Sequence, residues 1–127
     1  MGLVYFISNL KICLKKKKFI LLQKNSEIII GALNSLWDDK LILGYKQLNS
    51  FFIKVYLKFD GLGNSLIKDV LPVSTLGRKR FIKVSSLKKN YVKNNTFYLL
   101  NTSRGILNCH QAIEKNVGGE VLFKIFI

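Results

Sequence analysis

Within Phe51 to Phe59 the chain changes character at every residue from Ile53 onward: Ile53, Val55, Leu57 and Phe59 are apolar, and Lys54, Tyr56 and Lys58 lie between them. Successive strand residues point to opposite faces, so a period of two predicts a β-strand with one apolar and one polar face. Leu41 to Leu48 precedes it closely and reads as its antiparallel partner.

Upstream the period becomes helical. Leu3, Phe6, Ile7, Leu10, Cys13 and Leu14 place one apolar stripe opposite Asn9 and Lys11, and Ile28, Ile29, Ala32, Leu33 and Leu36 form a second stripe within Glu27 to Trp37. Asn25 or Ser26 can cap this second helix, Glu27 sits near the positive end of its dipole, and Lys40 closes it. Phe19 to Leu22, between the helices, reads as a strand. Asp60-Gly61-Leu62-Gly63-Asn64 combines two glycines with turn formers and predicts a boundary between two small lobes, 1–63 and 64–127. The first lobe is thus ordered helix, strand, helix, strand, strand.

The second lobe opens with a predicted strand from Leu66 to Leu71, ended by Pro72, and a turn at Leu76-Gly77. A basic strand from Arg78 to Val84 follows. It puts Lys79 and Lys83 on one face with Phe81, and Arg80 on the other with Ile82 and Val84. Phe81 suits either a contact to sugars and bases or a place in the core. Ser85 or Ser86 can cap a short helical turn from Leu87 to Val92. A strand from Thr96 to Leu100 then runs into the loop Asn101-Thr102-Ser103-Arg104-Gly105. Asn108 can cap a helix of about two turns carrying Ala112 and Ile113. Val117-Gly118-Gly119 stops that helix before a last strand, Glu120 to Ile127.

Charge narrows the function. Lys and Arg total 21 against 7 Asp and Glu, a formal charge of +14. No acid occurs from Val70 to Ile113, where Arg78, Lys79, Arg80, Lys83, Lys88, Lys89, Lys93 and Arg104 all lie. Between Met1 and Ser26 the only charged side chains are Lys11, Lys15, Lys16, Lys17, Lys18 and Lys24. Two acid-free basic zones suit an extended polyanion, because cations that neutralise phosphates release counterions. With 49% hydrophobic residues the chain can also close a core, which separates it from disordered basic tails.

Other classes fit poorly. Cys13, Cys109 and His110 are the only cysteines and histidine, too few for a four-ligand zinc site. Cys109 and His110 are neighbours, and adjacent helical residues point about 100° apart, so they do not form a thiol and base pair. The carboxylates are scattered, and no catalytic residue, metal or other cofactor is expected. Leu3 to Leu14 is apolar over 12 residues and broken by Lys11, whereas a membrane-spanning helix needs about 20. The excess of Lys over Arg, 18 to 3, with abundant Asn, Ile, Phe and Tyr, is what A+T-rich codons produce. It points to an organelle-encoded chain, mitochondrial before plastid, with an A+T-rich bacterial cytoplasm as the alternative.

The segment NTSRGILNCHQAIEKNVGGEVLFKIF resembles the C-terminal signature of the S8 family of small-subunit ribosomal proteins. Thr102, Ser103, Arg104 and Gly105 match that family's Ser-Thr-Ser-Lys/Arg-Gly loop. Gly118, Gly119 and Glu120 match its Gly-Gly-Glu turn. Leu57-Lys58-Phe59, Val73-Ser74 and Gly77 resemble its linker and first C-terminal strand, so the likeness covers roughly the last 70 residues. Leu76, Asn101 and Lys124 depart from the usual proline, serine and aromatic. The resemblance implies a two-lobe α+β protein, with an α-β-α-β-β first lobe and an antiparallel, β-rich second lobe with a short helix. It also implies binding to the central domain of small-subunit ribosomal RNA during assembly, beside other ribosomal proteins.

The expected RNA-binding residues are Asn101, Thr102, Ser103, Arg104 and Gly105 in the loop, Arg78, Lys79, Arg80 and Lys83 in the basic strand, and Lys16 and Lys17 in the lysine run. Hydroxyl and amide groups can bond sugars, phosphates and base edges, the arginine can clamp a phosphate, and the glycine lets backbone approach closely. Gly118, Gly119 and Glu120 are expected to support the loop, the Glu120 carboxylate by accepting hydrogen bonds. The alternative is a basic protein of the membrane surface, or one that binds nucleic acid without specificity; neither a membrane nor a small-molecule substrate is the expected partner.

Overall fold

The computed structural model describes residues 2–75, 77–90 and 96–127. Its elements are α1 (Gly2–Lys15), β1 (Ile20–Lys24), α2 (Glu27–Asp38), β2 (Ile42–Gln47), β3 (Phe52–Leu57), β4 (Asp69–Pro72), β5 (Phe81–Ile82), α3 (Val84–Asn90), β6 (Thr96–Thr102), β7 (Gly105–Asn108), α4 (Cys109–Glu114) and β8 (Gly119–Phe126). They divide into two compact units, one ending at Lys68 and the other starting at Asp69. The fold is α+β with the expected α-β-α-β-β order in the first unit and an antiparallel, β-rich second unit.

In the first unit β3 lies between β1 and β2, antiparallel to both. The period-two pattern works as expected: Ile53, Val55 and Leu57 are buried, together with Leu21 and Ile42. Helix α1 packs on β1 and α2 on β2. Their stripes supply Phe6, Ile7 and Leu10, and Ile29, Ala32, Leu33 and Leu36, all buried. Each large side chain in this layer contributes about 1.5–3 kcal/mol of burial. Of the two expected caps, Ser26 is the one used, its hydroxyl accepting from the Ile29 N–H at 3.4 Å.

Three helices end in the same way. After α2, Lys40 takes a left-handed φ of 61°, its N–H donates to the Trp37 carbonyl at 3.0 Å, and the Leu41 N–H donates to Leu36 at 2.9 Å. Lys17 (φ 55°) and Asn116 (φ 55°) repeat this pattern after α1 and α4. Each is a Schellman closure, the motif that usually employs glycine.

In the second unit the main sheet order is β4-β8-β6-β7, and β5 also pairs with β8. A register shift at Leu99/Leu100 leaves Leu122 without a partner in β6, while its carbonyl accepts from the N–H groups of both Val73 and Ser74. The extra residue rotates the strand. Val121 therefore joins Leu100 on one face and Phe123 joins Leu99 on the other. On the Val121 face lies a core of Leu87, Leu100, Leu107, Cys109, Ala112 and Val121, with Ile82 and Val117 against it. Asn108 caps α4 as expected and does so reciprocally: its side chain accepts from the Gln111 N–H at 2.8 Å, and the Gln111 side chain accepts from the Asn108 N–H at 3.2 Å.

Several expected elements are corrected. The strand read at Leu66 to Leu71 is Asp69–Pro72, with Pro72 as its last residue. The basic strand read from Arg78 to Val84 shrinks to Phe81–Ile82, because a closed turn holds Thr75 to Arg78 and Val84 already starts α3. The helical turn thus begins before Ser85 and Ser86, while its expected end at Tyr91 and Val92 lies outside the described residues, as do Leu76 and Lys93. Gly105–Asn108, read as loop, is strand β7. Among the described residues no helix is long and apolar enough to cross a membrane.

Candidate nucleic-acid interface

Strand β8 begins with Gly119 and Glu120, and these two residues are paired on both sides. Phe81 and Ile82 of β5 face Glu120 and Gly119 on one side, and Asn101 and Thr102 of β6 face the same two on the other. The loop and the basic segment are therefore neighbours across a single strand, roughly 10 Å apart as next-nearest strands of one sheet.

Local chemistry shapes the loop into a hairpin tip. Thr102 pairs with Gly105, leaving Ser103 and Arg104 as the turn. The Thr102 hydroxyl accepts from the Arg104 N–H at 3.1 Å and donates to the Gly105 carbonyl at 2.8 Å. Gly105 has φ 99°, a conformation open to glycine at little cost. The expected contact residues thus separate into two kinds. Ser103, Arg104 and Asn101 are exposed, whereas the Thr102 hydroxyl is engaged inside the turn.

The two glycines permit the close fit beneath this tip. A Cβ atom on Gly119 would overlap the Asn101 carbonyl oxygen and lie 3.1 Å from Thr102 Cγ2. One on Gly118 would overlap the Ile82 carbonyl oxygen and lie 3.1 Å from Lys83 Cα. Gly119 is thus fitted to the loop and Gly118 to the junction between β5 and α3. The Glu120 carboxylate accepts no hydrogen bond among the described residues, so the fit is made by backbone at the glycines.

In the basic segment the Arg78 N–H donates to the Thr75 carbonyl at 3.0 Å and the Thr75 N–H to Arg78 at 3.2 Å. Ser74 Oγ accepts from the Arg80 N–H at 2.9 Å, and the Arg80 carbonyl accepts from the Val121 N–H at 2.8 Å. Ser74 is a positioning residue that charge and spacing alone do not single out. With the backbone so held, the side chains of Arg78, Lys79, Arg80 and Lys83 are exposed. Phe81 is 73% exposed and so is no core residue. It shares a face with Glu120 and Asn101, to which the register joins it. Lys79 and Lys83 do not share a strand face with it, since neither lies in a strand.

Lys16 and Lys17 belong to the other unit, at the end of α1, and are exposed there. The Cys13 thiol nearby is pushed above its ordinary pKa by burial, against the opposing pull of Lys18 and Lys16, which makes it a poor nucleophile at neutral pH. Among the described residues no group of three or more His, Cys, Asp or Glu could hold a metal. The second unit thus offers hydrogen-bonding groups at a hairpin tip, cations beside them and one exposed aromatic ring, a set suited to phosphate, sugar and base contacts.

Residues 5–126 match the sequence pattern of the family described as ribosomal protein S8. The small ribosomal subunit protein uS8 of Aliarcobacter butzleri is 32% identical over 106 residues, 80% of each chain. That of Orientia tsutsugamushi (strain Boryong) is 32% identical over 96 residues, 76% of this chain and 68% of the relative. That of Chlorobaculum parvum is 43% identical over 75 residues, 59% of this chain and 55% of the relative. With nearly its whole length matched and its hairpin, glycine pair and basic segment gathered on one strand, the chain belongs to the ribosomal protein S8 family.

Proposed function

We propose that the β6–β7 hairpin tip and the segment 78–83 together form the surface by which this chain grips ribosomal RNA. The chain is a structural protein of the small ribosomal subunit that binds ribosomal RNA beside neighbouring ribosomal proteins. The observation that carries the site reading is the double pairing of Gly119 and Glu120, which sets tip and cations side by side. Ser103 and Asn101 contact sugars or base edges, Arg104 clamps a phosphate or stacks, and Arg78, Lys79, Arg80 and Lys83 neutralise the flanking backbone. Lys16 and Lys17 add phosphate contacts from the first unit. The RNA partner is the central domain of small-subunit ribosomal RNA, the role is to support its assembly, and no catalytic step is involved.

The test is binding of the purified chain to central-domain RNA and to a scrambled RNA across salt. Preference for the native RNA at moderate salt, lost with Ser103→Ala, supports the reading. Equal binding of both RNAs at every salt concentration overturns it.

The composition, with Lys over Arg at 18 to 3, supports a mitochondrial ribosome as the chain's location. Mass spectrometry of purified mitochondrial small subunits tests this, and recovery only from plastid or bacterial ribosomes overturns it.

A further inference from the structure

The first unit has a sheet face that its helices do not cover. Burial and register assign to it Ile20, Leu22 and Lys24 of β1, Phe52, Lys54 and Tyr56 of β3, and Lys46 of β2. The opposite face carries the buried Leu21, Ile53, Val55 and Leu57. On the open face Leu22 is 61% and Phe52 44% exposed. The central strand there reads aromatic, lysine, aromatic, with about 7 Å between successive side chains of one face. Lys54 Nζ stands 5.6 Å from the Tyr56 ring centre. Lys24 lies beside Phe52, Lys46 beside Lys54, and Gly44, with no side chain, beside Tyr56. No Asp or Glu occurs in any of the three strands.

We propose that this face is a second RNA-binding surface, a platform for a short single-stranded segment, distinct from the hairpin and going beyond the reading above. Flat aromatic rings on a central strand stack unpaired bases, which a duplex keeps hidden, and such platforms take about two or three bases. Sugars then cover Ile20 and Leu22, and phosphates meet Lys24, Lys46 and Lys54. Charge decides against a protein occupant. Covering the apolar centre with protein would desolvate three lysines that have no acid on the face to meet them, and lysine is depleted from the cores of protein interfaces. Phosphates neutralise the same lysines while releasing counterions.

The experiment uses the full chain with a ten-nucleotide oligouridylate, read by fluorescence anisotropy, and the same oligomer carrying 4-thiouridine for photocrosslinking. Crosslinks on the wild-type chain are expected within Phe52–Tyr56. Phe52→Ala and Tyr56→Ala should each weaken oligomer binding about tenfold, and Tyr56→Phe should retain it. Lys54→Gln should lower the salt slope by about 0.7. Because crosslinking needs no variant, misfolding of an alanine variant leaves the test intact. Crosslinks confined to residues 78–105, or alanine variants that fold and bind like wild type, overturn the proposal while leaving the hairpin reading in place. Protection of the face by another ribosomal protein but not by the oligomer overturns it in favour of a protein partner.

Discussion

Gly119 lies against Asn101 so closely that a single methyl group on the glycine would overlap the Asn101 carbonyl oxygen. The exposed tip of the proposed RNA site is therefore seated on a position that holds no side chain. Gly119→Ala should cost about 1–3 kcal/mol through the displacement it forces and should loosen the hairpin. Gly61, where nothing lies within 4 Å of an added Cβ, is the control. Gly61→Ala should change stability by less than about 0.5 kcal/mol. Urea unfolding midpoints, with central-domain RNA affinity measured in parallel, check both.

Thr102 and Ser103 are adjacent hydroxyl residues with different work. The Thr102 hydroxyl joins Arg104 and Gly105 across the turn, while Ser103 is exposed. Thr102→Val should lose about 1 kcal/mol of stability, and Thr102→Ser should keep it. Ser103→Ala should leave the thermal midpoint unchanged and reduce preference for native over scrambled RNA about five- to tenfold, the equivalent of one hydrogen bond.

Lys17 couples stability and binding with opposite signs. Its left-handed φ of 55° costs more for lysine than for glycine, and its charge is part of the basic run. Lys17→Gly should raise stability by about 0.5–1 kcal/mol. It should also weaken RNA binding and flatten the salt slope by at most about one unit. Lys40→Gly should raise stability similarly. A Lys17→Gly variant less stable than wild type would contradict the Schellman assignment.

The cap of α4 is a third test of local structure. Asn108→Ala removes the side-chain acceptor of the Gln111 N–H while the backbone N–H of residue 108 can still donate to the Gln111 side chain, and should cost about 1 kcal/mol. Because the capping residue is also the last residue of β7, hydrogen exchange in Gly105–Asn108 should rise along with exchange in α4.

What the sequence determined by itself was set by short-range periodicity. The helical stripes of α1 and α2, the alternation in β3, the Ser26 and Asn108 caps and the glycine pair after α4 all depend on residues within a few positions of each other, where side-chain identity reports conformation directly. The segment Asn101 to Gly105 was legible through its resemblance to the S8 family's loop, and as a loop rather than a hairpin. Only tertiary structure decided that Phe81–Ile82 and Asn101–Thr102 flank the same two residues of β8. These segments are far apart in sequence and are joined by backbone hydrogen bonds, which leave little trace in side-chain pattern. The expected basic strand shortened because Ser74 and the Thr75–Arg78 turn take its backbone partners, and β7 escaped notice because four residues carry too little periodicity to separate strand from loop. Lys17 and Lys40 show the same limit. Their charge is visible in the sequence, but their left-handed backbone follows from how each helix must close onto its sheet.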